Sequence, residues 1–84
     1  MSKNTKLINK LLSKPKDFTW AELVKVLKQF GYVQVDTGKT GGSRVRFVNP
    51  AYPPITLHKP HPHPILKRYQ INDIVNLLKN ERLL

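Results

Sequence analysis

The sequence contains no cysteine, which excludes disulfide bridges and thiolate metal sites together. Acidic residues are scarce: 5 Asp and Glu stand against 15 Lys and Arg, a formal net charge of +10 at pH 7. No apolar run exceeds a few residues, far short of the ~20 that cross a bilayer. The lysine-dotted first residues lack both a continuous hydrophobic stretch and a small-residue cleavage site, which argues against export. A cytoplasmic address is the expectation from these absences, and no membrane partner is expected.

What is present suits one small domain. Eighty-four residues, 39% of them hydrophobic, carry an ordinary globular core, although folding at this size removes only ~60 to 65% of the chain's surface from water. The positive excess attracts polyanions over a range set by salt. Nucleic acid, an acidic protein and an anionic membrane are the partners it suits, in that order. Solubility alone is the remaining reading.

Thr5 to Ser13 places Leu7, Ile8, Leu11 and Leu12 on one stripe and most of the lysines elsewhere, the pattern of a short amphipathic helix that Pro15 stops. Its apolar area is too small to hold a membrane, so it is expected to pack on the domain or on a second subunit. The clearest local signal is Phe18-Thr19-Trp20-Ala21-Glu22-Leu23, where Thr19 and Glu22 are spaced to cap each other's amides and Phe18 and Leu23 hold the staple positions. A helix from Trp20 to Phe30 follows, closed by Gly31.

Tyr32 to Val35 alternates as a half-buried strand, and 37 to 42 is a glycine-rich turn. Ser43 to Val48 alternates again, with Val45 and Phe47 on one face and Arg44, Arg46 and Val48 on the other. Ile55 to His58 reads as a third strand. Prolines at 60, 62 and 64 then forbid helix and favour extended backbone. A last helix from near Tyr69 to Arg82 carries Ile71, Ile74, Val75, Leu77 and Leu78 on its buried side.

The expected fold is therefore α+β: a three-stranded antiparallel meander in the order α-α-β-β-β-α, with helices on one face and the other face open. The expected division is an N-terminal helical extension over residues 1–16 and a domain over 17–84.

The run from Trp20 to Asn49, with its helix ending in Phe30-Gly31-Tyr32 and with Gly42-Ser43 opening the second strand, resembles the HicA family of small toxins. Ile55-Thr56-Leu57-His58, the His-Pro pairs and Leu66 leading into the last helix extend the likeness across about Asp17 to Leu84. Residues 1–16 reach beyond the family's usual start. The resemblance implies a fold like that of double-stranded-RNA-binding domains, cleavage of messenger RNA, and a HicB-type antitoxin that covers the active face. It also exposes a departure. The family's usual motif is Gly-Ser-His, with the histidine catalytic, whereas this chain has Gly42-Ser43-Arg44. Arginine stays charged at neutral pH and has no proton-accepting nitrogen. Catalysis has either moved to another residue or been lost.

Metal-free RNA cleavage needs a base for the ribose 2'-hydroxyl, a cation for the charged phosphorus centre and an acid for the leaving oxygen. Histidine suits the proton roles because its ordinary pKa of ~6.5 lies near working pH. The three histidines all fall within 58–63. His58 is the first choice, at the end of a strand and near Arg44 if the second and third strands pair. His61 can share its side of an extended backbone, and His63 points elsewhere. A stiff surface connection is the competing reading of this segment. A metal site built on His-x-x-His-x-His is a third reading, weakened by the want of a nearby carboxylate.

Arg44 and Arg46, two apart, project from one face of a strand and are spaced to grip successive phosphates. Lys39, Lys59, Lys67 and Arg68 extend the basic track, and Ser43 is placed to donate to the same anion. A solvated basic face is the alternative. Gly-Lys-Thr-Gly-Gly lacks the spacing and following helix of a phosphate-binding loop. Tyr32, Tyr52 and Tyr69 are of the kind that stacks on unpaired bases, but the expectation is that Tyr32 packs beside a helix and Tyr69 seats the last one, with Trp20 in the core. Three functions compete: an RNA-cleaving toxin, a non-catalytic RNA-binding module, and a domain that docks an acidic protein. No cofactor is expected.

Overall fold

The chain forms an amphipathic helix, α1 (Thr5–Leu12), in the computed structural model; the structure describes residues 5–35, 44–60 and 63–84. The helix ends before Pro15 is reached. Lys14 turns into the left-handed region at φ 52, and its N–H closes on the Leu11 carbonyl at 3.0 Å. Leu11 is fully buried, while Leu7 and Ile8 pack partly against the core. The extension thus packs on the domain itself, against α2 and α3.

Helix α2 (Trp20–Gln29) starts at the capping box read from the sequence. The Glu22 N–H donates to Thr19 Oγ1 at 3.2 Å, and the Thr19 N–H donates to Glu22 Oε1 at 2.9 Å, so two otherwise orphaned amides are satisfied at once. The same carboxylate accepts from Lys10 Nζ at 2.9 Å, which ties α1 to the start of α2. Phe30 closes the helix, and Gly31 follows at φ 93. A side chain there would be strained, and its Cβ would meet Asn49 Nδ2 at 3.1 Å. That amide is itself occupied, donating to the Phe30 carbonyl at 2.7 Å.

The sheet consists of β1 (Val33–Val35), β2 (Arg44–Val48) and β3 (Ile55–His58), in the spatial order β1-β2-β3 with both pairings antiparallel. The turn expected at 37–42 lies outside the described residues. Phe47 and Ile55 face inward and are buried; Trp20 meets Phe47 with ring centroids 5.8 Å apart and planes tilted by 40°. Such a pair adds ~0.5 to 1.5 kcal/mol beyond its buried area. The alternation expected for the first strand is not matched by its burial. Val33, Gln34 and Val35 are all exposed, on a strand only three residues long at the edge of the sheet. Tyr32, just before it, is buried and donates from its hydroxyl to the Pro53 carbonyl at 2.8 Å. Burial raises its phenol pKa, which keeps the donor proton in place.

After β3 the chain returns to the start of α2. The Trp20 N–H donates to the Pro64 carbonyl and the Leu66 N–H to the Phe18 carbonyl, both at 2.8 Å, around an antiparallel bridge between Thr19 and Ile65. Helix α3 (Arg68–Asn80) then buries Ile71, Ile74, Val75 and Leu78 against α1, α2 and the sheet's inner face. Glu81 caps it, and Arg82 at φ 60 lets the Leu83 N–H reach back to the Leu78 carbonyl at 2.8 Å. The architecture is the α+β meander expected, with helices on one face and the other open.

Candidate functional site

The open face of the sheet is decided by register. Arg44 stands opposite His58 and Arg46 opposite Thr56 across the β2–β3 ladder, while Val35 stands opposite Arg46 and Val33 opposite Val48 across β1–β2. Directly opposed residues share a face with Cβ atoms ~4.5 to 5.5 Å apart. Arg44, Arg46, Thr56 and His58 are all exposed, so a guanidinium and an imidazole neighbour each other on the solvent side. A slip of one residue would turn Phe47 and Ile55 out of the core, so the hydrophobic pattern fixes which face these side chains share, and the pairing register sets which of them stand opposite.

His58 is held from behind by a residue that the periodicity of α3 did not single out. Gln70 is 4% exposed, the one buried polar residue among those described. Its Nε2 donates to the His58 carbonyl at 2.8 Å, and its Oε1 accepts from the Lys67 N–H at 3.0 Å. One side chain therefore caps the start of α3 and ties it to the end of β3. The spacing Lys67-x-x-Gln70 is that of a capping box, but a lysine at the cap gives no signal. Lys59, Lys67 and Arg68 are exposed at this junction, and the first turn of α3 holds no acidic residue to offset its positive end.

Tyr69 does not seat the last helix as expected. It is 59% exposed, since the buried stripe of α3 runs through 70, 71, 74, 75 and 78 and leaves 69, 73 and 77 on a neighbouring stripe one turn apart. Those three residues line a groove of about 360 Å³ between α3 and β3, and His58 lines it too. His63 is exposed on the segment leading back to α2. His61, Lys39 and Ser43 lie outside the described residues. The three-histidine metal reading includes His61, and among the described residues no group of three His, Asp or Glu side chains is placed to hold a metal ion.

The family model for the HicA toxin of bacterial toxin-antitoxin systems matches residues 20–80. The chain belongs to the HicA family. No curated protein and no solved structure matches it. The HicA match spans α2, the whole meander and α3, and so contains the Arg44–His58 pair and Gln70. It begins at Trp20, leaving outside it both α1 and Phe18, although Leu11 and Phe18 are fully buried in the same core as the matched residues. The helix ahead of the HicA domain is thus packed as part of it. Among the described residues no helix is long and apolar enough to cross a membrane.

Proposed function

We propose that this HicA-family toxin binds messenger RNA and cuts it without a metal ion, and that a HicB-type antitoxin covers the open face of its sheet. The observation that carries this reading is the Arg44–His58 pairing on the solvent side, with Arg46 two residues along the same strand. Arg44 and Arg46 grip consecutive phosphates through their guanidinium forks. His58 takes the proton of a ribose 2'-hydroxyl, and the freed oxygen attacks the adjacent phosphorus. The bond from phosphorus to the next 5'-oxygen breaks, leaving a 2',3'-cyclic phosphate, and the departing oxygen takes up a proton. His61, Lys39 and Ser43 enter this scheme from the sequence alone, His61 as the second proton carrier. Lys59, Lys67 and Arg68 extend the track for the strand on either side.

The antitoxin reading has its own support. Val33, 61% exposed, and Val35 border the arginines on the same face. A basic patch with an apolar margin suits a protein surface carrying carboxylates and aliphatic side chains. The test of the nuclease reading is incubation of purified protein with RNA in the presence of a chelator. Cut products ending in a cyclic phosphate are expected, and His58→Ala abolishes them with thermal unfolding nearly unchanged, because the side chain is exposed. RNA left intact after prolonged incubation with the unaltered protein refutes it.

One observation favours a second reading, a non-catalytic RNA-binding module. Arg44 occupies the place where the Gly-Ser-His motif has its histidine, and a guanidinium cannot act as a base. In that case RNA affinity falls steeply with salt and no cut products form.

A further inference from the structure

We propose that the groove between β3 and α3 is a nucleobase subsite selective for guanine, placed next to the phosphate held at Arg44 and His58. This rests on the RNA reading above and assigns that site its base preference. The groove's volume of about 360 Å³ lies at the lower end of the ~300 to 1,000 Å³ range of small-ligand pockets, which accommodates one base and little more. It is continuous with the open face through His58, which lines the groove from β3 and stands opposite Arg44 across the ladder. A strand whose phosphate is held by Arg44 therefore has its neighbouring base at the mouth of the groove.

The chemistry of the lining selects what enters. Asp73 places a carboxylate there, the one acidic group among the lining residues in a chain of net charge +10, and a carboxylate disfavours a phosphate beside it. An uncharged base is not disfavoured. Tyr69, 59% exposed on the turn before Asp73, offers a ring for stacking, a contact of the kind aromatic side chains make with unpaired bases. Ile74, Leu77 and Leu57 supply the apolar walls.

Base identity follows from the carboxylate of Asp73, the one acidic group among the lining residues. The Gln70 oxygen and one of its two N–H donors are engaged, by the Lys67 N–H and the His58 carbonyl. Asp73 forms no ion pair or hydrogen bond with another described residue, and an ionised carboxylate only accepts. Guanine alone presents two adjacent N–H donors, N1 and N2, on its Watson–Crick edge. Adenine and cytosine set an acceptor beside their donor, and uracil flanks its single N–H with carbonyls, so each brings a lone pair against the carboxylate. A protein strand added to the β3 edge is the less favoured occupant, because β3 is four residues long and Gln70 already holds its last carbonyl.

The test needs no cleavage. The full chain, labelled for amide NMR, is titrated with the mononucleotides of guanine, adenine, cytosine and uracil. The guanine nucleotide is expected to bind at least about tenfold more tightly than the others, as a bidentate base contact does, and to shift the amides of Thr56, Leu57, Tyr69 and Asp73. Asp73→Asn is expected to erase that preference, and Tyr69→Ala to weaken all four nucleotides alike. Both positions are exposed on α3, so neither change threatens folding. Equal binding of the four nucleotides, shifts confined to Arg44 and Arg46, or an undiminished guanine preference in Asp73→Asn overturns the subsite. The two proposals fail separately. Guanine selectivity in the groove with long RNA left intact keeps the subsite and removes the nuclease. RNA cut with no preference for guanine beside the cut removes the subsite and keeps the nuclease.

Discussion

The Gln70 side chain joins the last carbonyl of β3 to the first turn of α3, donating to His58 O at 2.8 Å while accepting from the Lys67 N–H at 3.0 Å. This places the start of a helix, with Lys67 and Arg68 exposed on it, directly behind the histidine proposed to move protons. Replacing Gln70 by leucine keeps the volume and removes both bonds. Stability is expected to fall by ~1 to 3 kcal/mol, the cost of leaving buried polar groups without partners. If Gln70 positions His58, the variant's cleavage falls in kcat with KM little changed, and the His58 imidazole resonances move. A loss of stability with unaltered imidazole resonances and kcat limits Gln70 to a structural part.

Leu11 belongs to α1, outside the stretch that matches the HicA model, yet it is fully buried. Leu11→Ala is expected to cost ~2 to 5 kcal/mol, as a large-to-small change in a packed core does. Leu12→Ala, one residue on but 38% exposed, is expected to change stability by less than ~0.5 kcal/mol. Chemical denaturation of the two variants separates a helix that completes the core from one that rides on the surface; similar small losses in both mean that α1 contributes no core.

Glu22 supplies a pH dependence whose sign is fixed. The Thr19 backbone N–H, and then the Lys10 ammonium, hold its carboxyl below its ordinary 4.5. A depressed pKa means that the contribution is present above 4.5 and is lost as pH falls through the lower folded value. The hydrogen bond to Glu22 raises the Lys10 pKa, so that contribution persists below 10.5 and disappears only as pH rises through its folded value. Thermal midpoints are expected to decline on acidification below about pH 4.5, and Glu22→Gln, which retains the capping acceptor, is expected to flatten that decline. An acid limb of the same steepness in the variant assigns the effect to other carboxylates.

Arg46, exposed between Val35 and Thr56 in the ladder, gives the RNA reading a quantitative handle. Removing one phosphate contact should lower the slope of log affinity against log salt by about 0.7 to 1. Arg46→Ala is expected to do so and to weaken RNA of every sequence alike. An unchanged slope takes this arginine out of the interface and shifts weight to Lys59, Lys67 and Arg68.

Much of the fold was readable locally because its signals act over a few residues. The Thr19–Glu22 box, Gly31 at the end of α2, and the alternation that puts Arg44 and Arg46 opposite Phe47 depend only on spacing and backbone geometry. Tyr69 departs from expectation for a related reason: its place on α3 follows from helical period, but whether that stripe meets core or solvent is set by what packs against it. Gln70 carried no usable signal, since a polar residue between Tyr69 and Ile71 is buried only because a strand carbonyl arrives to meet it.

The sequence by itself determined which side chains point the same way along each strand and helix, because that is set by periods of two and 3.6 residues. It also determined the charge that any partner must answer. Only the tertiary structure decided that Arg44 faces His58, that Gln70 fastens β3 to α3, and that Tyr69, Asp73 and His58 share one groove. Those relationships join His58 to residues 11 to 15 positions away through packing, and pairing register together with the seating of a helix on a sheet is settled by the whole core at once.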